Sequence, residues 1–398
     1  MAKIVFIGGF VNPNNKPVIE THFGNDLYFS SDPLQKDIIQ GIYEETGKRV
    51  QIFSSMFYPQ PNRPFQSPKK VTDTSCGRIE EVPFLCCKII QHFSKAHNLH
   101  KVLLEQLNDG DIVIVYSAYF PFLMALSKLK KKKNIQLILI IPDLPSFVGL
   151  SSKKSLYHAL SRRVREILFD KYNHSVDSYV FLTEQMNDVV NNQNKPYVVV
   201  EGIAPYDYHI QKNQQIERKV VYSGTLQMRY GVGTLLEAIS LIRDETVKFV
   251  FYGAGEGELY IREAAEKDKR IVFGGIIDRD TLRNIQQESL LLINPRQNNE
   301  DFTKFSFPSK IMEYLLSGRP IVAYMLDGMP LEYEEFLITP KDDTPKALAA
   351  AIEYAIKMDE ADRIKRGEAA RRFVLSNKNY RVQANKILSL VKMNGEDR

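Results

Sequence analysis

The chain is dominated by a repeated alternation of short apolar strands with helical stretches. Its strands include unbroken apolar runs such as Leu137–Ile141, which suit a parallel sheet covered by helices on both faces. The alternation therefore predicts doubly wound α/β structure. The predicted helices of the first half include Pro33–Thr46, Pro83–Asn108 and Phe122–Lys131. Its predicted strands are Lys3–Ile7, Arg49–Phe53, Asp111–Tyr116, Gln136–Ile141, Ser178–Leu182 and Tyr197–Glu201.

A second strand–helix series follows the polar stretch Asn213–Lys219, and 398 residues are too many for one ordinary core. We therefore expect two α/β domains, residues 1–203 and 204–376, with a final helix over 377–398 that packs back towards the first domain. Ligands of such sheets bind at the carboxyl ends of the strands, which places the chemistry on loops that follow strands. The second series of predicted strands is Val220–Ser223, Val247–Tyr252, Ile271–Phe273, Leu290–Asn294 and Ile321–Tyr324.

Composition excludes several classes of protein. Hydrophobic residues make up 44% of the chain and charged residues 25%, which is typical of a soluble globular protein. No apolar run reaches the length of about 18 residues that a membrane-spanning helix needs. The net charge of +5 is too small to indicate nucleic-acid binding. The first residues, Met1–Gly9, have the pattern of a strand and not of a signal peptide, so we expect a cytoplasmic protein.

Metal sites and disulfides are not indicated either. The three cysteines form no disulfide framework and no paired C-x-x-C motif. His92, His97 and His100 lack the i,i+4 spacing of a helical zinc site. We therefore expect no metal and no cofactor.

The segment Ser306–Pro320 has the pattern of a loop, a helix and a stop. Pro308 suits the first helical turn, where its missing N–H costs nothing. Ser306 and Ser309 are both candidate caps, and Gly318 followed by proline ends the helix.

Lys310 and Glu313 lie three residues apart and are therefore neighbours on one face of this helix. A helix N-terminus with free N–H groups and a lysine suits a phosphate-like anion. A carboxylate one turn further on suits a sugar diol. An ordinary surface ion pair explains the same two residues, so both interpretations stay open.

Two glycine-containing loops also follow predicted strands. The run Ser223–Gly231 places Gly224 and Arg229 between a strand and a helix, an arrangement that suits a diphosphate held by a permanently charged guanidinium. Thr225 lies in the same run, and a solvated loop arginine is the alternative. The glycines after the first strand, including Gly9, allow a close backbone approach to a ligand but also suit a tight turn.

Two further loops carry weaker signals. Gly253–Glu258 contains a G-x-G-x-G pattern, but its two acidic residues would repel a pyrophosphate, so we expect it to pack closely against a ligand or a neighbouring domain. Asn299–Phe305, which includes Thr303, offers backbone N–H groups to sugar hydroxyls or is an ordinary irregular loop.

The stretch Ser155–Tyr172 predicts a basic amphipathic helix with cationic residues around one apolar stripe. Such a helix suits an anionic membrane surface, which we expect to be contacted through residues 153–172. A domain helix with a charged exterior is the alternative. The apolar stripe consists of Leu156, Leu160, Val164, Ile167 and Leu168.

The chain resembles the family 4 retaining glycosyltransferases, and among them those of bacterial capsular and surface polysaccharide biosynthesis. The resemblance implies the GT-B fold, which is α/β with two Rossmann-like doubly wound domains facing across a cleft. Residues 1–203 would bind the acceptor and residues 204–376 the nucleotide-sugar. The resemblance covers the second domain more closely than the first, and it rests on Ser306–Pro320, Tyr222–Ala238, Phe251–Gly255 and Pro142–Pro145.

Transfer of a sugar from a nucleotide donor, with retained anomeric configuration and without a metal, is the activity that this resemblance implies. Lys310 matches the family lysine on the donor diphosphate, and Glu313 matches the glutamate that binds the ribose. Arg229 falls beside the position where many members have a lysine, which Tyr230 occupies here. Ile276 lies where the base is usually held through the backbone.

Two departures from the family pattern bear on recognition of the sugar. Phe305 stands where many members carry a second glutamate. Ser117 and Ala118 follow the strand after which many members carry a histidine near the sugar, so no histidine is assigned.

We therefore expect a metal-independent, hexosyltransferase-type enzyme that uses a UDP-sugar and extends a cell-envelope glycan or lipid-linked acceptor, in the cytoplasm or at the inner face of the plasma membrane. The candidate catalytic residues are Arg229 and Lys310. The candidate nucleotide-sugar-binding residues are Gly9, Gly224, Thr225, Ile276, Thr303, Ser306, Pro308 and Glu313.

Two other classes of protein stay open. One is a GT-B sugar-nucleotide epimerase, and the other is a non-catalytic GT-B protein that binds a glycan or a membrane. A nicotinamide-dependent dehydrogenase is least favoured, because neither domain has the G-x-G-x-x-G fingerprint after its first strand.

Overall fold

The computed structural model describes residues 2–9, 32–55, 65–67, 69–87, 90–145, 156–211 and 215–396. The chain divides into two compact units. Unit 1 comprises residues 1–206 and 380–398, and unit 2 comprises residues 207–379. Each unit is built on a largely parallel sheet.

The strands of unit 1 are β1 (Ile4–Gly8), β2 (Val50–Ser54), β3 (Phe65–Gln66), β4 (Val71–Asp73), β5 (Gly77–Glu81), β6 (Leu85–Cys86), β7 (Ile112–Tyr116), β8 (Gln136–Ile141), β9 (Ser178–Phe181) and β10 (Tyr197–Val199). Its helices within the described residues are α1 (Asp32–Thr46), α2 (Ile90–Gln106), α3 (Phe120–Lys130), α4 (Leu156–Asn173), α5 (Gln185–Val190) and the final helix (Tyr380–Glu396).

The main sheet of unit 1 has the strand order β10-β9-β8-β7-β1-β2-β5-β4. Its neighbouring strands are parallel, apart from β4, which runs antiparallel to β5 at one edge. Strand β7 is buried along its whole length and β8 along nearly all of it. These are the unbroken apolar runs that predicted a sheet covered on both faces.

The final helix packs on α1 within unit 1. A Cβ atom at Gly41 would lie 2.2 Å from the carbonyl oxygen of Tyr380. The missing side chain therefore lets the two helices touch at their backbones. Ile42 from α1 and Ala384 and Ile387 from the final helix are buried in the core of the sheet.

One predicted element of unit 1 is wrong in its bounds. The helix expected over Pro83–Asn108 begins only at Ile90 in the structure. The residues before it are extended because Leu85–Cys86 pairs antiparallel with Phe65–Gln66. Strand β5, just upstream, was not predicted at all, and it is held by pairing with β2 and β4.

The strands of unit 2 are β11 (Glu217–Thr225), β12 (Lys248–Ala254), β13 (Ile271–Gly275), β14 (Ser289–Asn294), β15 (Ile321–Ala323) and β16 (Leu337–Ile338). Its helices are α6 (Val232–Leu241), α7 (Glu258–Lys267), α8 (Arg279–Glu288), α9 (Ser309–Ser317), α10 (Pro345–Lys357) and α11 (Glu360–Asn377), so the final helix of unit 1 is α12.

The sheet of unit 2 is parallel throughout, with the strand order β13-β12-β11-β14-β15-β16. The order reverses between β11 and β14. Such a reversal is a topological switch point, where the loops after two neighbouring strands leave in opposite directions and open a crevice for a ligand. The loops that follow β11 and β14 are therefore the first place to look for a site.

Among the described residues, no helix has both the length and the apolar character needed to cross a lipid bilayer.

Candidate functional site

The loops at the switch point of unit 2 are packed against each other through glycines. Gly231 has a φ of 84°, and a Cβ atom there would lie 2.0 Å from the carbonyl oxygen of Pro295. A Cβ atom at Gly253 would lie 1.8 Å from the carbonyl oxygen of Gly224. These last two glycines are paired in strands β11 and β12. In the loops that follow, a Cβ atom at Gly255 would lie 2.3 Å from the carbonyl oxygen of Leu226, so the loop after β11 is held by the loops after β14 and β12. Packing of the Gly253–Glu258 loop against a ligand or a neighbouring domain stays a prediction.

Helix α9 begins beside this junction without a side-chain cap. Its N-cap residue is Pro308, in extended conformation and without a side-chain cap. The expectation that Ser306 or Ser309 caps the helix is therefore wrong: Ser306 Oγ instead accepts a hydrogen bond from Arg296 at 2.7 Å. The helix ends as predicted, because Gly318 adopts a left-handed conformation. The first turn keeps backbone N–H groups that no side chain caps, which favours an anion there.

Lys310 and Glu313 form an ion pair on this helix. The distance from Lys310 Nζ to Glu313 Oε2 is 2.8 Å, with 30% of the lysine side chain and 14% of the glutamate side chain exposed. Gly224 lies beside the lysine, because a Cβ atom at that glycine would be in van der Waals contact with Lys310 Cγ, at 3.8 Å. The structure therefore brings Lys310, Glu313 and Gly224 together.

Arg229 lies in the same loop as Gly224 and is partly exposed. Its Nε donates a hydrogen bond to Gln227 Oε1 at 2.7 Å. Its guanidinium lies 5.3 Å from the ring centre of Tyr230 and 5.8 Å from that of Phe302. The arginine is thus held over aromatic rings by cation–π contacts that leave its charge unneutralised.

Arg296 is a neighbour of this cluster that the sequence analysis missed. Its guanidinium lies 4.6 Å from the ring centre of Phe302 and 5.1 Å from that of Tyr230, on rings that Arg229 also contacts. With its hydrogen bond to Ser306, it ties the loop after β14 to the entry of α9. The sequence feature that could have indicated this residue is its place in the loop after β14, two positions beyond the last strand residue, Asn294.

Of the three remaining candidate residues of unit 2, two are exposed, and the side chain of the third forms a hydrogen bond within the chain. Thr225 is exposed at the end of β11, and its carbonyl oxygen accepts a hydrogen bond from Tyr222 at 2.9 Å. Thr303 is buried, and its hydroxyl donates to the carbonyl oxygen of Glu300 at 2.7 Å, so this side chain closes a turn. Ile276 is 79% exposed, which leaves its backbone accessible to a flat ligand.

Arg279 enters the site from the start of α8, three residues after Ile276. Its Nε lies 3.7 Å from Glu313 Oε1. Tyr208 lies close by, and burial raises its pKa well above the usual range, with Glu313 adding to the effect. Nothing local in the sequence indicated either residue, because both reach α9 through tertiary packing.

Gly9 belongs to unit 1, where its N–H donates to Gln35 Oε1 at 3.2 Å. In the loop after β7, Ser117 has a φ of 78°, which is rare for a residue with a side chain. Tyr119 follows, and its hydroxyl lies 2.8 Å from His92 Nδ1. No histidine was expected here, but α2 brings His92 to this loop.

The basic helix predicted over Ser155–Tyr172 corresponds to α4. Residues 153–155 of the stretch expected to contact a membrane lie outside the described residues. Its apolar stripe is exposed to solvent at Leu160, Val164 and Ile167. Among the described side chains of the helix, Arg162 and Arg163 flank the stripe and form i,i+4 and i,i+3 ion pairs with Glu166.

Within the ranges that the structure describes, no group of three or more His, Cys, Asp or Glu side chains is arranged to hold a metal ion.

One region of the chain matches a known protein family. The family model described as "Glycosyl transferases group 1" matches residues 217–358, all within unit 2. The region similar to this family contains the loops after β11 and β14 and helix α9. No curated protein matches the chain.

Solved structures of similar fold extend over the whole chain. Sucrose-phosphate synthase from Thermosynechococcus elongatus has 14% sequence identity and a TM-score of 0.65, over 100% of both chains. An α,α-trehalose-phosphate synthase (UDP-forming) from Burkholderia xenovorans, in complex with glucose-6-phosphate, has 11% identity and a TM-score of 0.65, over 98% of this chain and 100% of that one.

A third similar structure is that of S. aureus TarM, in complex with fondaparinux, α-GlcNAc-glycerol and UDP. It has 16% identity and a TM-score of 0.55, over 74% of this chain and 58% of that one. At such low identity these similarities establish the fold alone, and that fold is the expected two-domain α/β GT-B fold.

Proposed function

We propose that this protein is a retaining glycosyltransferase that moves a sugar from a nucleotide-sugar, expected to be a UDP-sugar, to a cell-envelope glycan or lipid-linked acceptor. One observation carries the proposal. Lys310 stands in the first turn of an uncapped helix, next to Gly224, inside the region that matches the glycosyl transferases group 1 model.

The proposed mechanism follows from charge. Breaking the bond between the sugar and the diphosphate leaves negative charge on the departing phosphate oxygens. Lys310, Arg229 and the N-terminal N–H groups of α9 supply fixed positive charge that stabilises this charge as it develops. The second unit then holds the donor, and Glu313 accepts hydrogen bonds from the ribose hydroxyls.

A thermal-shift screen tests donor binding directly. UDP, GDP and ADP, each alone and as a sugar conjugate, are added to the full chain at equal concentration. The proposal expects a raised melting temperature, largest with UDP, because a ligand that binds only the folded state stabilises it. A chain that responds to none of them would be a non-catalytic protein, and the proposal would be abandoned.

The retention of configuration and the independence from metal have separate tests. Proton NMR of the product, with a donor of known anomeric configuration, reads out whether the configuration is retained. Turnover is expected to be unchanged by EDTA, because protein cations take the place of a divalent ion at the diphosphate. Inverted product, or activity that EDTA abolishes and Mg²⁺ restores, would contradict these parts of the proposal. Mixing enzyme with donor alone tests the alternative of an epimerase, which would form the epimer without an acceptor.

We also propose that an anionic membrane surface is contacted through α4, which would bring unit 1 to a lipid-linked acceptor. The exposed apolar stripe, with Leu160 66% exposed, lies next to Arg162 and Arg163, a combination that suits the boundary of an anionic bilayer. Co-sedimentation is expected with vesicles containing phosphatidylglycerol and not with neutral phosphatidylcholine vesicles. Replacing both arginines by glutamate is expected to abolish it, and undiminished binding would contradict this surface.

A further inference from the structure

We infer that Arg279 is a positioning residue, which keeps the Glu313 carboxylate on the ribose hydroxyls while Lys310 turns towards the diphosphate. This inference rests on the proposed function, and it adds a residue that neither the motif nor the family resemblance indicated. The experiment below distinguishes its failure from that of the proposed function.

The Glu313 carboxylate lies between two cations from different helices. Lys310 Nζ is 2.8 Å from Oε2, and Arg279 Nε is 3.7 Å from Oε1. Each carboxylate oxygen thus faces its own cation. The Lys310 contact is a short charge-assisted hydrogen bond, whereas the Arg279 contact is a looser charge pairing. The looser contact leaves lone pairs of Oε1 available to a ligand hydroxyl.

The base of Arg279 is fixed by the start of α8. Asp278 caps this helix, and its side chain accepts a hydrogen bond from the backbone N–H of Thr281 at 2.9 Å. The exposed Ile276 lies in the loop just before the cap. Arg279 therefore projects from an anchored backbone position, close in the chain to where a nucleobase would lie and in contact with the proposed ribose ligand.

Other cations of α8 do not replace Arg279 at this carboxylate. Arg283, one turn further along, is buried and forms an ion pair with Asp207 at 3.0 Å. Its guanidinium also lies 5.2 Å from the ring centre of Tyr208. Arg283 is thus held on the segment that enters unit 2, and Arg279 is the α8 cation that pairs with Glu313.

We expect donor binding to change which cation contacts Glu313. A diphosphate near Gly224 and the first turn of α9 attracts the Lys310 ammonium more strongly than one carboxylate does, because it carries more negative charge. Glu313 then loses its shorter contact just when it must receive the ribose hydroxyls. Arg279 remains and limits the rotation of the carboxylate, so that the hydroxyls meet an oriented acceptor.

The test measures how strongly binding depends on the ribose hydroxyls. Affinities for UDP, 2′,3′-dideoxy-UDP and inorganic pyrophosphate are determined calorimetrically for the wild-type chain and for Arg279→Gln. In the wild type, loss of both hydroxyls is expected to weaken binding about 10- to 100-fold, the value of hydrogen bonds to a charged group. In Arg279→Gln this penalty is expected to shrink to about threefold or less, with pyrophosphate affinity unchanged.

Two further variants control the experiment. Arg279→Lys keeps a cation near Glu313 and is expected to restore most of the hydroxyl penalty. Arg372→Gln removes an exposed arginine of an i,i+4 pair on α11 and is expected to behave as the wild type. Melting curves without ligand confirm that each variant is folded. An effect confined to Arg279→Gln supports a positioning role, because general destabilisation would weaken all three ligands.

The outcomes separate the two claims. If UDP binds but Arg279→Gln keeps the full hydroxyl penalty, the positioning role is wrong and the proposed function stands. If the wild type shows no hydroxyl penalty, Glu313 does not hold the ribose and the inference is overturned. If Arg279→Gln loses pyrophosphate affinity, the arginine acts on the diphosphate and the inference is likewise overturned. If no nucleotide binds the wild type, the proposed function itself fails.

Discussion

The two units differ in how they hold positive charge near the carboxyl ends of their strands. In unit 2, the cationic side chains of Lys310 and Arg229 are partly exposed at the switch point. In unit 1, Lys95 is only 1% exposed, with its ammonium 4.2 Å from the ring centre of Phe84 and 5.3 Å from that of Tyr119. Burial lowers the pKa of Lys95 to about 7.

Several polar groups near Lys95 are neutral at pH 7. Burial lowers the pKa of His92 to about 4, with Lys95 adding to the effect, so the imidazole is neutral at pH 7. Burial also raises the pKa of the Cys86 thiol and that of the Tyr119 hydroxyl. The difference teaches that fixed, accessible charge suits a diphosphate, whereas this part of unit 1 surrounds one buried, easily deprotonated lysine with neutral hydrogen-bonding groups. The contrast supports placing the donor on unit 2 and a hydroxyl-bearing acceptor on unit 1.

The largest expected effect tests the charged side of this comparison. Lys310→Ala removes a cation from the departing diphosphate, and kcat is expected to fall about 100- to 1,000-fold. The measurement is turnover at saturating donor. Lys357→Ala, an exposed lysine on α10, is the matched control and is expected to keep wild-type turnover. Near-normal turnover of Lys310→Ala would remove this residue from the mechanism.

A smaller effect is expected at the carboxylate beside it. Glu313→Ala removes the proposed acceptor of the ribose hydroxyls, so donor affinity is expected to fall about 10- to 100-fold, with a lesser change in kcat. Calorimetric titration with UDP checks the first part and saturation kinetics the second. Unchanged UDP affinity would show that the Lys310–Glu313 pair is only a surface ion pair.

The smallest expected effect tests the buried side. The folded-state pKa of Lys95, about 7, lies below its ordinary value of 10.5. Between these values the unfolded chain holds a proton that the folded chain has released, so the free energy of unfolding rises with pH. The contribution to the slope is at most about 1.4 kcal/mol per pH unit. Lys95→Met is expected to remove it, as measured by urea unfolding between pH 7 and 9.

Two observations sharpen the Lys95 test. UDP affinity of Lys95→Met is expected to equal that of the wild type, because the donor is proposed to bind unit 2 and this lysine belongs to unit 1. Identical pH slopes of stability in the two proteins would show that Lys95 is not the group whose burial depresses a pKa. Reduced UDP affinity would contradict the division of roles between the units.

Local patterns predicted much of the fold. The bounds of α9 follow from Pro308, Gly318 and the apolar stripe between them, because caps and periodicity act within a few residues. The parallel strands were predicted from their unbroken apolar runs. The region before α2 was predicted poorly, because β3, β5 and β6 are short strands whose extended form depends on pairing with partners elsewhere in the chain.

The candidate site was predicted in part. The motif containing Lys310 and Glu313 indicated an anion site, and the structure adds that Gly224 lies next to Lys310. Sequence reasoning proposed Ser306 as a cap, whereas Arg296 takes its hydroxyl. It also proposed Thr303 for ligand binding, whereas the hydroxyl of that residue closes a turn. Short polar side chains satisfy whichever partner packing brings closest, and spacing in the chain does not reveal that partner.

By itself, the sequence determined the α/β class, most strands, the limits of α9 and the presence of a lysine and a glutamate on one face of that helix. These depend on interactions within one or two turns. Only the tertiary structure decided that Arg279 pairs with Glu313, that Arg229 and Arg296 contact the same aromatic rings, and that His92 meets Tyr119. Those contacts join residues from different helices and loops, and the packing of each element on its sheet determines which of them meet.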